Sequence, residues 1–383
     1  MSFEWRRACA LTFAAALAVG VSAEAQQAES ATGEVIFDAS VEPASCNSCN
    51  TGGLGLGSAM GGRGGQIFVG AEFLSLRANF SEATAYRVID PGPPGTETFE
   101  QFDFNYGESY RLYGGYRLCE CGCDITFAFT SIDSDGSFDT GAIADVTTPG
   151  FSFAAPYEVV PGADGDRLFG EADVSIDNYD IGFAKTIPLG GFCCDTACCD
   201  PCGDACGSAC GGCAPACAPW DLVWTGGVRF ANVDSQLRYF NDNAPGTEAN
   251  RNATSSVTFD GVGLRTGLIG RRYFGKRGII SAYVRGDISL LLGEVDTVVS
   301  GTTIPTTTLS STEVVPVTEI EAGVTSWLTR NISVSGGYLL AVWHDLGHRT
   351  EYDYGVTGSQ IVSMDDANLM TLDGWFIRGE AAF

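Results

Sequence analysis

Fifteen cysteines carry most of the chemical potential of this 383-residue chain, and their spacing narrows what they can do. Apart from Cys9 they form three groups: Cys46 and Cys49; Cys119, Cys121 and Cys123; and Cys193, Cys194, Cys198, Cys199, Cys202, Cys206, Cys210, Cys213 and Cys217. Cys199 to Cys202 and Cys210 to Cys213 have the spacing of zinc-ligand pairs. The wider steps from Cys194 to Cys198, Cys202 to Cys206 and Cys206 to Cys210 suit neither a zinc ribbon nor a ferredoxin run. Disulfides in an exported protein are the favoured reading, and no metal or cofactor is assigned. With odd numbers in two groups, at least one bridge has to cross between groups. The adjacent pairs Cys193-Cys194 and Cys198-Cys199 keep crosslinking to a second molecule open.

A second set of residues could act through charge. Glu72, Arg111, Arg117, Arg229, Arg265, Arg271, Arg285, Asp287, Glu319, Glu321, Arg378 and Glu380 each sit within an alternating stretch, on the face opposite its apolar residues. Charged rings of this kind set the field in a pore. The alternative for the same residues is an ion-paired plug that fills the lumen. Catalysis has little to build on. The only histidines, His344 and His348, fall in a Gly-containing loop, and no serine has a nucleophile setting. The net charge of −26 leaves no basic stripe for nucleic acid.

These residues need elements to place them, and the chain reads as strands. Alternation marks ten: Gln66–Leu76, Asn105–Leu118, Asp124–Asp133, Asp173–Ile187, Trp220–Phe240, Ser256–Arg272, Ile279–Gly293, Glu313–Leu328, Asn331–Trp343 and Leu369–Phe383. In the last, Trp375, Ile377, Gly379, Ala381 and Phe383 alternate with Phe376, Arg378 and Glu380. In Ser256–Arg272 the apolar phase changes, which suggests a bulge near Gly261. Short turns alternate with long connections over 77–104, 134–172, 241–255, 296–312 and 344–368, the pattern of an outer-membrane barrel. The fold expected is all-β: an antiparallel transmembrane barrel of about ten strands. Extra hairpins in the first two long connections would make twelve.

Domain limits follow. Arg6 and Arg7, the apolar run Ala8–Val21 and Ala23-Glu-Ala25 read as a cleavable signal peptide over 1–25. Residues 26–65 form a Gly- and Cys-containing periplasmic segment, and 66–383 the barrel, with a Cys-rich periplasmic insert at 192–219. No later apolar run is long enough for a spanning helix.

Phe68-Val-Gly-Ala-Glu-Phe-Leu-Ser-Leu-Arg-Ala-Asn-Phe80 and the ending Leu372-Asp-Gly-Trp-Phe-Ile-Arg-Gly-Glu-Ala-Ala-Phe383 resemble the first and last strands of the Legionella major outer-membrane protein family. That family has numerous pore-forming relatives in planctomycetes. The resemblance implies a pore-forming, non-enzymatic barrel in the bacterial outer membrane. The function expected is a narrow pore for passive diffusion of ions or small solutes; the alternative is a closed structural envelope barrel anchored or crosslinked through its periplasmic cysteine module. The partners expected are outer-membrane lipid and, through the cysteines, a second copy or the cell wall.

Overall fold

A computed structural model describes residues 65–81, 83–90, 96–118, 123–144, 152–157, 159–161, 164–189, 220–242, 250–274, 279–302, 304–329, 331–346, 349–352, 362–365 and 369–383. All lie within Pro43–Phe383. The signal peptide, residues 26–64 and the insert at 192–219 fall outside the described residues. So does every cysteine except Cys123.

The strands, in chain order, are β1 (Gln66–Phe80), β2 (Thr84–Asp90), β3 (Thr96–Gln101), β4 (Asp103–Phe104), β5 (Gly107–Leu118), β6 (Cys123–Ala142), β7 (Ser152–Ala154) and β8 (Arg167–Leu189). They continue with β9 (Trp220–Asp242), β10 (Arg251–Phe274), β11 (Ile280–Gly301), β12 (Thr307–Trp327), β13 (Ile332–His344), β14 (Arg349–Tyr352), β15 (Val362–Asp365) and β16 (Leu369–Ala382). The wall runs β6-β5-β1-β16-β13-β12-β11-β10-β9-β8, and β8 pairs back onto β6. Ten antiparallel strands thus close into a barrel, as the alternation predicts. The extra strands of the long connections do not raise the number to twelve. β2, β3 and β7 make a separate three-stranded sheet, β14 and β15 a hairpin, and β4 only a short rung on β6.

Register fixes the tilt. From Ile332 a row of paired residues passes through Ala381, Val69, Gly114, Phe127, Ile181, Val228, Leu264, Leu290 and Pro316. It returns to β13 beside His344, one step past the Val317–Trp343 pair and twelve residues from its start. A stagger of that size tilts the strands by roughly 40° to the barrel axis and leaves an interior that side chains can fill.

The strands are longer than sequence periodicity suggests, and the reason is a change of facing partway along them. On β1, Ile67, Val69 and Phe73 point outward and are exposed, while Leu74, Leu76, Ala78 and Phe80 point inward and are buried. The apolar residues therefore move from odd to even positions without any break in register. On β10 the same exchange runs from inward Val257 and Phe259 to outward Val262 and Leu264. No bulge lies at Gly261: it faces Gly293 on one side and Ala231 on the other in unbroken ladders. β8, β9, β11, β12, β13 and β16 change in the same way.

The physical cause is a change of solvent. Near the short turns the outside is apolar and the inside polar, as lipid demands. Near the long connections the outside is polar and the inside becomes a dry core, as in a soluble barrel. The connection at 296–312 illustrates the difference. Its Thr- and Ser-rich sequence reads as loop, yet β11 reaches Gly301 and β12 starts at Thr307, with Val295, Thr297 and Val299 buried inside. Asp135, Asp139 and Glu171, within the connection expected over 134–172, stand on the outer wall of β6 and β8.

Candidate functional site

The interior of the barrel is the candidate site, and it has two layers. In the short-turn half all twelve charged residues named from the sequence lie on the inward face. Three carboxylates escape sequence reasoning, Asp124, Asp180 and Asp221, because each precedes or follows an apolar run without marking its phase. Their inward parity, opposite the lipid-facing Ile125, Ile181 and Leu222, is the signal that could have found them.

Arg229 of β9 is the centre of the first cluster. Its Nε and Nη2 donate to the two carboxylate oxygens of Asp180 at 2.7 and 3.0 Å, and its Nη1 donates to Glu319 Oε1. Arg265 donates to Asp180 and, through Nη2, to Glu319 Oε2 at 2.9 Å; the same nitrogen lies 3.4 Å from Asp287. Arg285 Nε completes the group on Asp287. Three arginines thus face three carboxylates, tying β8, β9 and β10 to β11 and β12.

Glu72 and Glu321 organise the second cluster. Arg378 donates to both oxygens of Glu72 at 3.1 and 3.2 Å and to Glu321 at 2.8 Å. Arg111 reaches Glu72 at 3.2 Å and Glu321 at 3.8 Å, while its Nε donates to Thr130 at 2.9 Å. Tyr283 Oη donates to Glu321 at 2.6 Å. Nearest the short turns, Arg271 and Tyr273 both donate to Asp221 at 2.8 Å, and Arg117 lies between Asp124 and Glu380 at 3.4 and 3.7 Å. Charges of this density are tolerable in a barrel because each is paired.

Two glycines make room for these groups. A Cβ on Gly267 would lie 2.1 Å from Asp287 Oδ1, and one on Gly70 would meet the Tyr113 ring at 2.2 Å. An inward glycine beside a bulky neighbour lets the neighbour cross the lumen instead of lying along the wall.

In the long-connection half the inward wall positions are instead mostly apolar. Leu74, Leu76, Leu168, Ile176, Phe259, Leu291, Val295, Val315 and Val317 have 0% exposure, and Trp343 and Met370 have 1%. A water-filled passage would show as exposure on these inward side chains, and they have essentially none. Packing there is that of a protein core.

Residues 221–383 match the family model described as the Legionella pneumophila major outer membrane protein precursor. No curated protein matches the chain significantly. Among solved structures, the outer membrane protease OmpT from Escherichia coli is 10% identical, with 83% of this chain and 97% of that one covered and a TM-score of 0.44. The Pseudomonas putida toluene transporter TodX is 8% identical over 85% and 91%, at 0.22. The transport unit of the autotransporter AIDA-I from Escherichia coli is 8% identical over 82% and 89%, at 0.25. Likeness this loose bears on neither substrate nor activity. The wall closes as a ten-stranded antiparallel β-barrel, and its residues 221–383 are similar to the Legionella pneumophila major outer membrane protein family.

Proposed function

We propose that this protein is a closed structural barrel of the outer membrane rather than an open diffusion pore. The observation that carries the reading is the apolar core of the long-connection half, where inward side chains from Leu74 to Trp343 are almost wholly buried. The ion-paired layer below supports it, since Arg229, Glu72 and Glu321 are almost fully buried among partners. Such a barrel acts as a wall element of the envelope. The cysteine module between β8 and β9 is the proposed link to a second copy or to the cell wall.

Planar-bilayer recording of the purified, folded protein tests the reading. Silence in concentrated KCl is expected, and reproducible ohmic single-channel steps would overturn it. A non-reducing gel of isolated membranes tests the link: oligomers that collapse on reduction are expected.

A second reading, a narrow pore for ions or small solutes, has one observation in its favour. Arg117, Arg271 and Glu380 keep 20, 25 and 28% of their side-chain surface exposed, which leaves a charged vestibule at the short-turn end.

A further inference from the structure

The mouth at the long-connection end is covered by residues that the barrel wall does not require. The connections before β5 and after β6 meet there: β2 pairs with β3 along its length and with β7 through Arg87–Ala154, Val88–Phe153 and Ile89–Ser152. This three-stranded cap rests on rings from both sources. Phe102 contacts Phe138 at 5.1 Å and Tyr239 at 5.6 Å, and Tyr86 contacts Phe138 at 5.5 Å. Two hydrogen bonds tie the region to β9: Tyr239 Oη donates to the Thr84 carbonyl at 3.1 Å, and Asn241 Nδ2 to the Val160 carbonyl at 3.0 Å.

The segment after β7 turns back into the mouth. Ala155 and Val159 form an isolated bridge, both with 0% exposure, and between them Tyr157 is 5% exposed with its ring 5.9 Å from Tyr239. Tyr157 has a φ of +63°, in the left-handed region that bulky residues avoid. An aromatic residue keeps such a conformation only when its surroundings over-determine it, and stored strain of this kind gathers at clamps and switches. Here its ring seats against that of Tyr239. A wall closed by its own core has no need of this strained insertion.

We propose that β2, β3 and β7 form a lid over the mouth, latched by the insertion of Tyr157 against Tyr239, and that the lid opens while the barrel stays folded. Opening carries Arg87, 5% exposed in the closed lid, into solvent.

Native-state trypsin digestion of the full-length folded protein in lipid vesicles reads this, because Arg87, in the central strand of the lid, becomes a cleavage site only when the lid lifts and β2 unpairs. Wild type is expected to be cut slowly at Arg87 while the remaining barrel still runs as the heat-modifiable folded form. Tyr157→Ala removes the latch ring and should speed that cut about tenfold, the order that loss of one aromatic contact allows. Tyr239→Phe keeps the ring but loses the bond to Thr84, and should speed it by a smaller factor. This variant also carries the test if Tyr157→Ala does not assemble. Cleavage at Arg87 only under conditions that unfold the barrel, or at the wild-type rate in both variants, would overturn the proposal.

Discussion

Replacing Arg229 by Met removes the cation that holds two carboxylates at the centre of the lumen. Arg229 is 1% exposed and makes two hydrogen bonds to Asp180 and one to Glu319. After the change, Asp180 and Glu319 share only Arg265, which also serves Asp287. Breaking a buried pair from one side costs about 3–5 kcal/mol, chiefly through the charge left unpaired. Glu319→Leu alone leaves Arg229 and Arg265 competing for Asp180. The double variant Arg229→Met/Glu319→Leu removes one charge of each sign and leaves two arginines facing two carboxylates. Its cost should therefore fall below the sum of the single costs by about 1–3 kcal/mol. Reversible urea unfolding in lipid vesicles, followed by tryptophan fluorescence and by gel mobility of unheated samples, measures all three. A loss under about 1 kcal/mol for Arg229→Met, or single costs that add within about 0.5 kcal/mol, would refute the view of this cluster as a coupled plug.

The change of facing along β11 predicts opposite tolerance at two outward valines. Val284→Arg places a charge in the lipid band and should cost about 2–4 kcal/mol, whereas Val298→Arg, outward beyond the band, should cost less than about 0.5 kcal/mol in the same urea titration. At the wall end of β6, a hydrogen bond from Arg167 and a second from the Gly141 amide lower the Asp139 carboxyl to about 2. The lowered folded-state value means that the pair's contribution is present above the ordinary carboxylate range and is lost as pH falls toward 2. Because both side chains are exposed the effect is small and local. Amide exchange at the β6–β8 end should rise on acidification in wild type, and Asp139→Asn should show the raised exchange already at neutral pH.

Much of the barrel is legible in the sequence because lipid imposes a strict period. Trp220, Leu222, Trp224 and Val228 alternate with no competing signal, so strand, facing and inward charges can be read together. Asp180 and Asp221 are not legible as site residues, since a single carboxylate beside an apolar run does not say which partner it will meet. The ends of the strands are hidden for a different reason. Glu294-Val-Asp-Thr-Val-Val-Ser-Gly301 looks like a polar connection when outward apolar residues are expected, because its apolar residues have moved to the inward face. The pairing of Arg229 with Glu319, across strands that are not neighbours in the wall, depends on stagger and has no local trace.

The same change of facing bears on the proposed closure of the lumen. An open pore needs an inward face that stays polar from end to end, so that water wets its whole length. Here, beyond the lipid band, the outward positions carry Glu108, Asp133, Asp177, Asp234 and Asp260, and the inward positions carry Leu, Ile, Val, Phe and Trp. That exchange gives up a wetted lumen and gains buried apolar area in a wall that has no lipid to stabilise it, at about 25 cal/mol for each Å² removed from water. Strands of 21 to 24 residues such as β8 through β12 are far longer than the 9–11 that a membrane requires. The excess length stands outside the lipid and must carry its own core. On the proposed reading, the filled lumen is the physical consequence of that height.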